Sequence, residues 1–276
     1  MTTSQRVAPG LGRGRQLLNK VPEVTLYFWV IKVLCTTVGE TAADYLNTTL
    51  GFGLNGTSLV MAALLAAVLV VQFRSRRYIP GLYWLAVVLV SVVGTLITDN
   101  LIDNVGISLT TTTVVFAVVL AVVFAAWFAS ENTLSIHTIV TTRREAFYWA
   151  AVLFTFALGT AAGDLVAEKA DLGYWRSALL FAGLIALVAF AHYRLRLGAV
   201  LAFWLAYILT RPLGASLGDY LSQDSDAGGL ALGTTVTSLI FLTSILALVM
   251  FLSVTRRDRT ESIAPDAALD PSAART

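Results

Sequence analysis

The stretch "YWAAVLFTFALGTAAGDLV", Tyr148–Val166, opens on an aromatic-Trp pair, stays apolar for most of its length, and then places a glycine and an aspartate near its far end. A helix of this kind rises about 1.5 Å per residue, so roughly 20 residues cross the ~30 Å hydrocarbon core of a bilayer. A charged side chain near the centre of such a helix costs about 2.5–3.5 kcal/mol. The aspartate therefore needs a reason. The same arrangement recurs at Phe28-Trp29 with Gly39 and Asp44, at Tyr83-Trp84 with Gly94 and Asp99, and at Phe203-Trp204 with Gly214 and Asp219. All four copies obey [FY]-W-x9-G-x4-D-x-[LV]. A lone G-x4-D carries no information, but four copies in register define an internal repeat.

The rest of the chain agrees with a membrane setting. Of 276 residues, 57% are hydrophobic and 13% charged, against about 25% charged in an ordinary soluble domain. Mean hydropathy is +0.76. Eight apolar blocks fall near 22–46, 57–73, 80–101, 109–129, 146–168, 176–192, 197–220 and 231–254. They are too long and too evenly apolar for barrel strands, so helices remain as the way to satisfy the backbone in lipid. The spacing predicts an all-α integral membrane protein of eight transmembrane helices, built as four tandem two-helix repeats. The longer middle interval holds the polar linker "SENTLSIHTIVTTRRE" (130–145). It divides the membrane part into two pseudo-symmetric four-helix halves, 22–129 and 146–255, each a pair of helical hairpins. Residues 1–21 read as a cytoplasmic tail without a removable signal peptide, and 256–276 as a disordered cytoplasmic tail.

Orientation follows from Lys and Arg. With both termini inside, fifteen of the nineteen fall on the cytoplasmic side, among them Arg74, Arg76, Arg77, Arg143 and Arg144. Lys169 and Arg176 alone fall outside, and Lys32 and Arg211 lie within helices. Basic clusters beside a membrane are the ordinary topology signal, so no nucleic-acid partner is expected. Because a two-helix unit restores direction, all four motif helices run the same way, with the Trp end inside and the four aspartates at one depth in the outer half.

Residues four apart share a helix face. Stepping back from each aspartate gives Glu40, Thr36 and Lys32; Thr95, Ser91 and Val87; Thr160, Phe156 and Val152; and Ala215, Arg211 and Tyr207. These stripes collect hydroxyls and both intramembrane cations, so they are expected to face the bundle interior. Glycine five residues before each aspartate suits close helix approach. The candidate ion pathway is Asp44, Asp99, Asp164, Asp219, Glu40, Lys32 and Arg211, with the four aspartates as candidate metal ligands. Gathered carboxylates repel unless they hold protons or share a cation, and oxygen ligands suit hard divalent cations. Arg211 is expected to pair with Glu40 or a motif aspartate, Asp219 foremost. Pro212 should bend its helix. The four Trp residues read as interfacial anchors.

Other chemistries are poorly supplied. Cys35 has no second cysteine to pair with and no His or Cys ligand partner, His137 and His192 make no metal pair, and no phosphate loop, serine elbow or dinucleotide fingerprint occurs. The runs "GETAADYL" (39–46), "FYWAAVLFTFALGTAAGDL" (147–165) and "FWLAYILTRPLGASLGDYLSQ" (203–223) resemble a family of bacterial integral membrane proteins known as "uncharacterised membrane-anchored protein". The resemblance spans about 20–255 and implies a bacterial inner membrane, but brings no activity or site. The leading expectation is a non-enzymatic transporter of a small ion, a divalent cation or a cation exchanged for protons, with no bound cofactor. A non-transporting membrane scaffold or oligomeric interaction protein is the alternative, and an organic-solute permease the third.

Cysteine-substitution labelling in intact cells should reach positions 103, 169 and 224 from outside. Labelling of the 74–77 loop from outside would reverse the topology.

Overall fold

The structure is a computed structural model describing residues 19–258. The expectations for the N-terminal tail up to residue 18 and for the C-terminal tail from 259 lie outside the described residues. Eight long helices follow one another: α1 (Leu26–Asp44), α2 (Gly53–Arg74), α3 (Pro80–Asp99), α4 (Leu109–Glu131), α5 (Thr142–Asp164), α6 (Tyr174–Leu195), α7 (Ala199–Ser222) and α8 (Gly233–Thr255). Seven are long and apolar enough to cross a membrane. Helix α1, which carries Lys32, Glu40 and Asp44, is not among them.

The motif helices α1, α3, α5 and α7 form a closed inner ring, each packed on two others: α1 on α3 and α7, α5 on α3 and α7. The expected hairpins are not the packing unit. Each return helix instead lies along the motif helix of the next repeat: α2 on α3, α4 on α5, α6 on α7, and α8 back on α1. The flanks of each inner helix are taken by its ring neighbours and its outer face by the return helix before it. The departing chain therefore finds its free apolar surface over the next repeat. The return helices expose large apolar side chains such as Leu59, Val118, Leu187 and Ile240 on their outward faces.

The four motif glycines explain why the ring closes so tightly. A Cβ on Gly39 would overlap the Ser91 side chain, on Gly94 that of Phe156, on Gly159 that of Arg211, and on Gly214 that of Thr36. Each glycine thus admits the residue eight before the aspartate on the next inner helix, and the relation runs once around the ring. Pro212 also uses this space, seated against Gly159 and Gly163 within an uninterrupted α7. In three repeats the helix does not stop at the aspartate. It widens into one π-helical turn, at Tyr45–Thr49, Asn100–Asn104 and Leu165–Lys169. Such turns are rare and gather at functional sites. Gly106 and Gly173, at φ +77° and +73°, then reverse the chain.

The Trp end is packed. Trp84, Trp149 and Trp204 are buried and Trp29 half-buried, so most of the expected interfacial anchors are core residues. The indole of Trp204 donates to the carbonyl of Leu134 at 2.9 Å. The 130–145 linker is likewise built into the fold: Lys20 and Gln72 both donate to the buried Glu145, at 2.6 and 3.1 Å, and Lys20 also reaches the carbonyl of Phe73. Near the last described residues, Tyr78 donates to the buried Asp258 at 2.6 Å, and the Glu23 amide donates to the Asp258 carbonyl.

Overpacking a tight helix contact costs about 1–3 kcal/mol. Gly214→Ala should lower thermal stability in detergent by that amount. Gly183→Ala, whose added methyl meets nothing, should be neutral or slightly stabilising, and equal stability of the two would contradict the ring packing.

Candidate functional site

The heptad-free, one-turn-per-rung stripes behave as their spacing requires. All twelve side chains at four, eight and twelve residues before the aspartates are buried, from Glu40, Thr36 and Lys32 round to Ala215, Arg211 and Tyr207. They stack as layers along the axis of the inner ring.

Arg211 joins the layers. Its guanidinium has no exposed surface and is held by all three other inner helices. Nη2 donates to Glu40 Oε2 at 2.8 Å, to Thr160 Oγ1 at 2.7 Å and to Thr95 Oγ1; Nη1 donates to the carbonyl of Thr36 at 2.9 Å. The Thr95 hydroxyl in turn donates a hydrogen bond to Glu40 Oε2 at 3.3 Å. At the equivalent place on α7 stands Ala215, whose small side chain leaves the centre of the layer to the arginine. The partner of Arg211 is therefore Glu40. Asp219 lies two turns beyond Arg211 on the same helix, and makes no ion pair.

Lys32 is equally sealed but, among the described residues, has no carboxylate partner. Its Nζ donates to Thr210 Oγ1 at 3.3 Å and lies 4.1 and 4.2 Å from the ring centroids of Phe156 and Tyr207. Phe156 also receives the Arg211 guanidinium, at 5.7 Å. Ring faces attract cations by about 2 kcal/mol or more when water is excluded. An aromatic layer of Phe28, Tyr83, Tyr148 and Phe203 follows toward the Trp end. Here the hydroxyls of Tyr83 and Tyr148 share a hydrogen bond of 2.5 Å.

At the other end stand the four motif aspartates. Asp219 is buried; Asp44, Asp99 and Asp164 are half-buried. Among the described residues none of their carboxylates makes a hydrogen bond or ion pair. Each lies within electrostatic range of Glu40, and Asp219 is also near Asp44 and Asp164. The structure thus brings the predicted residues into one column, with the aspartates at its mouth, Arg211–Glu40 in the middle and Lys32 beneath. It does not draw the aspartates into a tight cage: no three His, Cys, Asp or Glu side chains among the described residues are placed to hold a metal ion. Return-helix hydroxyls approach the same end, Ser238 donating to Thr41 at 2.8 Å and Ser58 receiving Asn100 at 2.8 Å.

Residue reasoning missed the tyrosines. The signal lay in the repeat itself: Tyr83 and Tyr148 are the aromatic partners of Trp84 and Trp149, sixteen residues before their aspartates and so on the same stripe.

These four repeats are also what comparison with known families finds. The family model "Repeat of Unknown Function (DUF347)" matches residues 27–78, 82–133, 147–197 and 202–258. The chain belongs to that family. Each matched segment contains one motif helix and the return helix after it. Neither a curated protein nor a solved structure matches the chain.

Removing one partner of a buried ion pair strands the other and costs about 3–5 kcal/mol, whereas replacing both by neutral side chains is far milder. Glu40→Gln and Arg211→Met should each destabilise strongly, and the double variant should recover most of the loss. Additive losses in a thermal double-mutant cycle would deny the coupling.

Proposed function

We propose that the protein is a membrane transporter of a small cation, a divalent metal ion or a cation exchanged for protons, in a bacterial inner membrane with both termini cytoplasmic. The observation that carries this reading is the column itself. Four carboxylates without partners among the described residues ring one end of the axis, directly above a sealed arginine–glutamate pair that joins all four inner helices.

Ionisable side chains inside membrane bundles usually mark ion or proton pathways. The aspartates would gather a cation at the outer mouth. Their spread around the mouth suits a transported ion better than a resident one. Transport requires a site attractive enough to enter and weak enough to leave, and a hydrated divalent ion can be held by carboxylates through its own waters. Arg211 would act as the barrier: held by three helices, its side chain closes the axis at the Glu40 layer, so a cation would pass only if the guanidinium moved aside. Alternating access would need a state in which the aspartate end opens while the arginine layer stays closed, and a second state that reverses this. Parallel repeats around an axis along the membrane normal provide helices that could rock between them.

The scaffold reading draws on the same guanidinium, since a pin through four helices also serves a rigid support. The two readings part at the aspartates, which a pin does not need.

Asparagine keeps the size and most of the hydrogen bonding of aspartate but carries no charge and exchanges no proton. Asp44→Asn and Asp164→Asn should abolish divalent-cation flux in proteoliposomes while insertion and melting temperature hold. Full flux in both would leave the motif structural.

A further inference from the structure

At the Trp end a cavity of about 460 Å³ opens between the last turns of α6, the first turns of α7, the start of α1 and the linker. None of the twelve stripe side chains lines it, so it is separate from the axial column. Its room comes from alanines. Ala189 on α6 and Ala202 and Ala206 on α7 leave the groove unfilled, and the rings of Trp29 and Phe203, 5.6 Å apart, form one wall. The lining changes character along its length. Along α6 the apolar Ile185 and Val188 lead to His192, and a rise of 1.5 Å per residue sets Ile185 about 10 Å deeper in the helix than His192. Ser135 and His137 of the linker stand in the same lining. His192 Nδ1 donates to the carbonyl of Leu197 at 2.7 Å, which fixes the ring at the polar rim. Just beyond it Arg194 and Arg196 are exposed and, among the described residues, form no ion pair. The acidic residues at this end already have partners: Glu145 pairs with Lys20, Glu131 with Arg143 and Arg144, Glu23 faces His137 at 3.7 Å, and Asp258 receives Tyr78. The two arginines are therefore surplus positive charge beside the rim of an apolar slot.

We propose that this cavity is a binding site for an anionic phospholipid of the cytoplasmic leaflet, with an acyl chain in the slot between α6 and α7 and its phosphate charge met by Arg194 and Arg196 beside His192. On the orientation proposed above, the Trp end meets the cytoplasmic leaflet, whose surface potential is negative, and basic pockets between transmembrane helices on that side suit anionic headgroups. The order of the lining matches an amphiphile standing in the bilayer: apolar where the chain lies deep, polar and basic where the headgroup lies. The inference shares with the transport reading only that placement and does not involve the transported ion. A lipid in this position touches α1, α6, α7 and the linker at once, so it binds the folded ring and not its separated parts. Ligands of the folded state raise its apparent stability.

The test uses the full chain in a neutral detergent, titrated with phosphatidylglycerol or with zwitterionic phosphatidylcholine, and reads melting temperature together with bound lipid by native mass spectrometry. Saturating phosphatidylglycerol should raise the melting temperature by about 5 °C, and phosphatidylcholine should leave it unchanged. Arg194→Gln combined with Arg196→Gln should weaken phosphatidylglycerol binding about tenfold. Both side chains are exposed, so the lipid-free melting temperature should hold. Ala189→Trp should fill the slot and abolish the shift, and the arginine pair decides the matter if that variant fails to fold. Equal binding of the two lipids would overturn headgroup recognition. Phosphatidylglycerol binding that is unchanged in the arginine pair and in Ala189→Trp would put the lipid elsewhere and overturn the site, as would no binding at all. No ion gradient enters the measurement, so failure here leaves the transport reading untouched, and a protein that moves no cation can still show the lipid shift.

Discussion

A guanidinium with no exposed surface has to find its partners inside the protein, and both terminal nitrogens of Arg211 find them on three helices other than its own. Loss of hydration would cost a bare buried cation several kcal/mol. The charge of Glu40, two threonine hydroxyls and one backbone carbonyl offset that cost only if α1, α3, α5 and α7 all stand within hydrogen-bond reach of a single point. Such an interaction specifies geometry more than it adds stability. It fixes which faces turn inward and at what level the four helices meet. The aspartates above it and the lysine below it inherit their positions from that meeting.

Close approach is what allows one arginine to span a four-helix ring. Interhelix distances of 8–10 Å are usual when large side chains fill the contact, and the motif glycines remove those side chains at each contact in turn. The residue each glycine admits is chemically different: Ser91, Phe156, Arg211 or Thr36. A symmetric backbone thus carries an asymmetric polar core. The pseudo-fourfold repeat supplies the frame, and the departures from it supply the charges.

Much of this was legible in the residues. The repeat, the parallel run of the motif helices and the inward stripes follow from a fixed spacing that only a helix converts into a common face. The element limits also fall close to the apolar blocks. The packing of return helices on the next repeat was not legible, because an apolar face states that it needs a partner and not which one. The partner of Arg211 was ambiguous for a related reason. A long flexible side chain can reach carboxylates on several helices, and only the position of α1 places Glu40, rather than Asp219, at its end. The tryptophans misled because an aromatic residue at the end of an apolar segment suits both a headgroup boundary and a packed core. Here the Trp204 indole is bonded to Leu134 of the linker, and the aromatic residues of the motif pairs pack on one another.

The closure of α8 onto α1 has a consequence for the history of such a chain. Two identical two-repeat proteins could in principle pair to form the same ring. A pair built from the first half would set two Glu40 carboxylates in the central layer with no guanidinium, and a pair built from the second half would set two guanidinium groups there with neither glutamate. Only unlike halves balance. Once the arginine and the glutamate had settled in different repeats, self-pairing of either half became unfavourable, and the two halves were bound to each other's company, most simply by staying on one polypeptide.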